Sequence, residues 1–303
     1  MKTMSASRGR SIETSLRLCS RAPRTMSWSA TAVPRRVRTC FEQVFGIGAG
    51  VATPPRRRLP DSHVRQDGPM SHPLDLAHLV TAGQRLVRSV DALSGDDWSG
   101  PSLLPGWTRA HVVAHLALNG EALGGVLGGV VEGEPVPMYV SQESRDEDIA
   151  ELAGAEHSEI RQRLLAATTT FLDAVQAVPE DAWSGRFERT TGGPTFPLDA
   201  VPLMRVREIE IHHVDLGTGY SPDDWPKPFA ETVVDGMVKR LDPGAGFRVA
   251  PLDSTRTWEV GTVDDESIGV TGPVAALAWW LTGRDPGDQV SATRGELPEI
   301  GGW

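Results

Sequence analysis

Residues 207–215 read R-E-I-E-I-H-H-V-D, and residues 111–115 read H-V-V-A-H. Side chains four apart lie on one face of a helix, so Glu208 and His212 are neighbours there, as are His111 and His115. Two imidazoles and a carboxylate brought together from two helices form the ligand set of an open catalytic zinc site, with a fourth position for water or substrate. Spacing alone leaves other readings open. His115 equally suits a buried, hydrogen-bonded histidine, and Arg205, Arg207, Glu208 and Glu210 suit an intrahelical salt-bridge network. His111, near the start of its helix, is the weaker ligand candidate. Glu210 and His213 point about 100° or more away from the Glu208–His212 face and read as surface residues. A buried carboxylate requires a partner or a metal, and the two helices together supply a complete His115, Glu208 and His212 set.

Working outward, the apolar spacing predicts four long helices. The first runs from Asp75 to about Leu93. The second has Thr108 as its N-cap and runs to about Leu123, where Gly124-Gly125 interrupts it. The third spans about Ser144 to Val178, with a weak point near Gly154. The fourth, from Leu198 to Leu216, stops at Gly217. Pro-containing loops cover 131–141, and a polar loop with Gly192-Gly193-Pro194 precedes the fourth helix. The pattern predicts a mainly α chain, an antiparallel four-helix bundle over 70–220 whose core can hold a metal. After Y-S-P-D-D-W-P (220–226) the texture changes. A helix over 228–241, short β-like runs at 247–252, 257–261 and 267–271, a helix opening at Gly272-Pro273 and a last run near 289–292 predict a small α/β domain over 221–303. Arg284 follows its apolar helix. Three roles suit it: capping the last carbonyls, pairing with Asp285, or clamping a carboxylate at the bundle site.

The first 69 residues differ in kind. They hold 13 of the chain's 30 Lys+Arg but only four of its 40 Asp+Glu, leaving 17 bases against 36 acids for the remainder. Arg-, Ser- and Pro-rich, without a sustained apolar period, they read as a disordered extension produced by an upstream start, with Met70 the initiator. An Arg- and Ser-rich transit peptide is the second reading. Both cysteines, Cys19 and Cys40, lie there, so residues 70–303 contain no thiol ligand and no cysteine nucleophile. The acidic body argues against nucleic acid and anionic membranes, and the expectation is a cytoplasmic protein. No dinucleotide, P-loop or serine-hydrolase motif is present.

At the stretches L-L-P-G-W-T-R-A-H-V-V-A-H-L-A-L-N (103–119), P-M-Y-V-S (137–141), S-R-D-E-D-I-A (144–150), M-R-V-R-E-I-E-I-H-H-V-D-L-G (204–217), G-R (283–284) and T-R-G-E-L-P-E (293–299), the sequence resembles the mycothiol-dependent maleylpyruvate isomerases. The resemblance runs from about residue 74 to Trp303. It implies a DinB-like bundle with a small C-terminal α/β domain, and Zn(2+) held by His115, Glu208 and His212. The arginine which that family assigns to catalysis falls on Arg284. The implied reaction turns 3-maleylpyruvate into fumarylpyruvate, a step of gentisate breakdown. A thiol adds to the alkene, the resulting single bond rotates, and elimination expels the thiol. With no cysteine in the body, the thiol arrives as mycothiol, so the expected partners are a small-molecule substrate and a low-molecular-weight thiol. A mycothiol S-transferase acting on other electrophiles is the alternative, and a metal-free binding or regulatory module a more distant one.

Overall fold

The computed structural model describes residues 76–241 and 246–301. The reading of residues 1–69 as an extension lies outside the described residues. Among them, helix α1 (Leu76–Asp91) buries Leu79, Ala82, Leu86 and Val90 at helical spacing, and a single turn, α2 (Gly95–Ser99), follows it. Helix α3 (Arg109–Glu132) starts at Thr108, whose hydroxyl accepts the His111 backbone N–H, and ends on Gly133 at φ 76°. It does not stop at Gly124-Gly125. The five glycines of α3 cost helix propensity of about 1 kcal/mol each, but Leu123, Val126 and Leu127 are fully buried, and that packing carries the helix through.

The expected single third helix is two, α4 (Gln142–Ala153) and α5 (His157–Ala177), parted at Gly154. A hairpin of β1 (Arg186–Glu188) and β2 (Thr195–Pro197) occupies the segment expected to be a plain polar loop. Helix α6 (Val201–Asp215) has Pro202 in its first turn and ends before Gly217, at φ 63°. Helix α3 packs on α5, α4 and α6, and α1 packs on α6 and α5, forming the bundle.

The C-terminal part follows the expected order. Helix α7 (Lys227–Val238) precedes β3 (Phe247–Pro251), β4 (Trp258–Val260) and β5 (Ile268–Gly272); α8 (Val274–Leu281) and β6 (Ser291–Ala292) complete it. The mixed sheet has order β4-β3-β5-β6, with β3 and β5 parallel and both outer pairings antiparallel. Helix α8 is apolar all round and nearly wholly buried between α7 and the sheet, as such a helix must be. One apolar cluster runs from the bundle through Val214, Leu216, Trp225 and Phe229 into Leu277 and Trp279, so the change of texture near residue 220 is not a break in the core. No helix among the described residues is long and apolar enough to cross a membrane.

Candidate metal centre

Helix α3 presents His115 and α6 presents Glu208 and His212 to one point. One donor atom from each lies within 4.8 Å of the others. Glu208 Oε2 is 2.9 Å from His115 Nε2 and 3.4 Å from His212 Nε2. The imidazole rings stand perpendicular, 4.7 Å apart. Both histidines are buried. Trp107, in the turn before α3, sets its ring 5.8 Å from that of His115, edge to face.

Electrostatics follow from this burial. Burial drives the His115 pKa down to about 4 against the pull of Glu208, leaving the ring neutral with a lone pair to offer. Burial alone would raise Glu208, but its bonds to His115 and His212 outweigh that and hold the carboxyl well below the usual range. His212 moves the other way: burial lowers it, and Asp215 and Glu208 more than reverse the effect.

Asp215 was not singled out by the sequence. Its carboxylate is wholly buried and its Oδ2 lies 2.8 Å from His212 Nδ1. Arg284 holds the same carboxylate with a two-pronged grip, Nε to Oδ1 at 3.2 Å and Nη2 to Oδ2 at 2.6 Å. Its Nη1 donates to the Thr282 carbonyl at 2.9 Å and its guanidinium lies 5.2 Å from the Trp279 ring centroid. Of the three roles considered, Arg284 therefore caps α8 and clamps a carboxylate, but that carboxylate is the chain's own Asp215, not Asp285. Burial pushes Asp215 up, and its bonds to His212 and Arg284 overcome this and keep it ionised.

Two further groups escaped the sequence reading. Arg145, in the first turn of α4, places Nη2 3.2 Å from His115 Nδ1, with its guanidinium 5.7 Å from the Tyr139 ring centroid. Burial and the Glu208 charge raise the pKa of the Tyr139 phenol and keep it protonated. Three sequence expectations are corrected here. His111 is a capping group, its Nδ1 2.7 Å from Thr108 Oγ1. Glu210 and His213 are buried, not surface residues. Glu210 takes His78 Nε2 at 2.7 Å and the Tyr220 hydroxyl, and His213 Nε2 meets Ser89 Oγ at 2.7 Å.

The model of the mycothiol maleylpyruvate isomerase N-terminal domain family matches residues 79–217, a span holding His115, Glu208 and His212. A solved structure of a mycothiol-dependent maleylpyruvate isomerase is 30% identical, with a TM-score of 0.68, over 75% of this chain and 95% of that one. The chain belongs to the mycothiol-dependent maleylpyruvate isomerase family. A histidine-to-alanine mutant structure of such an isomerase is 28% identical, with a TM-score of 0.69 and the same coverage. Comparison with curated proteins gives no match. As a maleylpyruvate isomerase family member the chain is an enzyme of the isomerase class with the DinB-like fold. Arg284 lies beyond the stretch that the family's N-terminal domain model covers.

Proposed function

We propose that this enzyme converts 3-maleylpyruvate to fumarylpyruvate, as a step of gentisate degradation, using zinc and mycothiol. The observation that carries the reading is the convergence of His115, Glu208 and His212 in a member of this family. The donor set fits a divalent cation. It offers two buried imidazole nitrogens and one ionised oxygen of the half-buried Glu208, with His212 oriented from behind by Asp215, the usual support for a metal-bound histidine. Zinc held by His115, Glu208 and His212 would supply Lewis-acid chemistry that favours a thiolate near neutral pH, and mycothiol would be the source of that thiol.

The chain's own groups prepare that chemistry. His115 stays neutral, so a cation can take its Nε2 with the ring's single hydrogen moving to Nδ1. Glu208 supplies negative charge at the point where both rings meet. Arg284 keeps Asp215 ionised and in place, and Asp215 keeps the His212 proton on Nδ1, turning Nε2 toward Glu208. Arg284 is thus assigned as a positioning residue whose charge also lies beside the site. The Trp107 ring packs beside His115, and the charge of Glu208 acts on the Tyr139 phenol.

The test is turnover of maleylpyruvate by purified protein, with and without mycothiol, before and after chelation and zinc restoration. Turnover that needs both is expected. Thiol-independent turnover, or turnover only of other electrophiles in a panel, would replace this reading with another.

A further inference from the structure

We propose that Arg145 is the residue that recognises a carboxylate of the substrate, an inference that rests on the isomerase reading of the site. Among the described residues, two arginines use the Nε–Nη2 edge of the guanidinium to grip an acid with two prongs. In Arg163 that edge grips Glu121, at 2.9 and 2.5 Å, and in Arg284 it grips Asp215. Arg145 is different. Its Nη2 lies 3.2 Å from an imidazole nitrogen, His115 Nδ1, its guanidinium also acts on the Tyr139 phenol, and its Nε is buried with no hydrogen-bond partner among the described residues. Asp146 occupies the remaining end, through Nη1 at 2.7 Å. A two-pronged carboxylate seat is therefore built at Arg145 and holds no carboxylate of the chain.

The imidazole is a poor permanent occupant of that seat. A guanidinium only donates hydrogen bonds, and a neutral imidazole has a single acceptor nitrogen. The Arg145 contact makes Nδ1 the acceptor and puts the hydrogen on Nε2, facing Glu208. Once His115 gives its Nε2 lone pair to a cation, Nδ1 carries the hydrogen and meets Arg145 donor to donor. Loading the site thus deprives the guanidinium of its acceptor and leaves an edge that fits a carboxylate.

There is room for one. Arg145 lines a cavity of about 300 Å³ with Tyr139, Met138, Leu118 and Ser144. Of the acids on its wall, Glu121 is neutralised by Arg163, and Asp148 stands exposed at the rim. Arg145 links this cavity to the cluster, because it lines the one and its Nη2 lies 3.2 Å from His115 Nδ1 in the other. A substrate with a carboxylate at each end matches a seat beside the cluster far better than a neutral electrophile does, so Arg145 also sets the preference for acids.

The experiment compares full-length, zinc-loaded wild type with Arg145→Gln and Arg145→Lys, reading kcat and KM for maleylpyruvate with saturating mycothiol, and zinc content. For Arg145→Gln we expect KM to rise about 10- to 100-fold, the range for losing a hydrogen-bonded charge contact, with kcat within about threefold on the same warrant and zinc unchanged. Arg145→Lys, which keeps the charge without the two prongs, should fall between, and it decides the matter if the Gln variant does not fold. An unchanged KM in a wild-type-like background overturns the inference and leaves the isomerase reading standing. Loss of zinc, or a fall in kcat alone, assigns Arg145 to supporting His115 and overturns it too. A wild type inactive on maleylpyruvate overturns the reading beneath it, and this inference with it.

Discussion

Asp215 ties three residues into one unit, and its removal is the sharpest test of that coupling. Metal-bound histidines rely on the group behind them, and losing such a partner costs about 10- to 100-fold in metal affinity. Asp215→Asn should therefore weaken zinc binding by that factor, measured by competition with a chromophoric chelator. Arg284→Ala leaves Asp215 buried beside His212 alone. Turnover should fall by about 10²–10³, as for one preorganised charge contact, and zinc affinity should fall with it. Zinc affinity equal to that of wild type would show that Arg284 acts on substrate directly, as the sequence alone suggested. His213 gives a prediction in pH. Burial lowers its folded-state pKa to about 4 from an ordinary 6.5. The unfolded chain thus binds more protons between those values, and stability is full above pH 6.5 and declines as pH falls toward 4. The effect is at most on the order of 3 kcal/mol. His213→Phe, which keeps a ring against Tyr220, should flatten that decline in denaturant titrations across the window; an unaltered slope would count against it. The three ligand candidates were legible in the sequence because four-residue spacing fixes which side chains share a face. Glu210 and His213 were misread because their covers, His78 and Ser89, come from α1, more than 120 residues away in sequence. Asp215 and Arg284 meet across 69 residues, a pairing that no local spacing encodes.

The close approach of α3 to α5 and α6 is set by small residues. A Cβ on Gly120 would stand 2.9 Å from Arg205 Nη2 and 3.2 Å from the Ala167 Cβ. Arg205 is itself fully buried, with Nη1 donating to the Leu116 carbonyl and to Asn119 Oδ1, so it has little freedom to withdraw. Gly120→Ala gains helix propensity of about 1 kcal/mol but overpacks the core at about 1–3 kcal/mol. A net loss of stability is expected, read as a lowered Tm; a raised Tm would mean that Arg205 moves freely. Helix α3 is longer than its sequence suggested because Gly124-Gly125 looks like a stop, yet the burial of Leu123, Val126 and Leu127 on the same turns is invisible to propensity. The break at Gly154 and the short strands after residue 246 were legible, since Gly and Pro punctuate both. The β1–β2 hairpin was not, because strands of three residues are too short to show alternation.

At the scale of the molecule, two helices of the bundle supply the proposed cation ligands and the turn after α8 supplies Arg284, on a core that runs through both parts. A ligand that binds only the folded state stabilises it by mass action, about 4 kcal/mol at a thousandfold excess over Kd. Chelation should accordingly lower Tm by several degrees, with recovery on adding zinc, and His115→Ala should show neither response. The measurement that bears most directly on the proposed centre is zinc-edge X-ray absorption of the purified protein before and after mycothiol. The expected spectrum has nitrogen and oxygen ligands at about 2.0–2.2 Å, gaining one sulfur at about 2.3 Å when mycothiol is added. Stoichiometric zinc absent from the protein, or a ligand shell unchanged by the thiol, would contradict it.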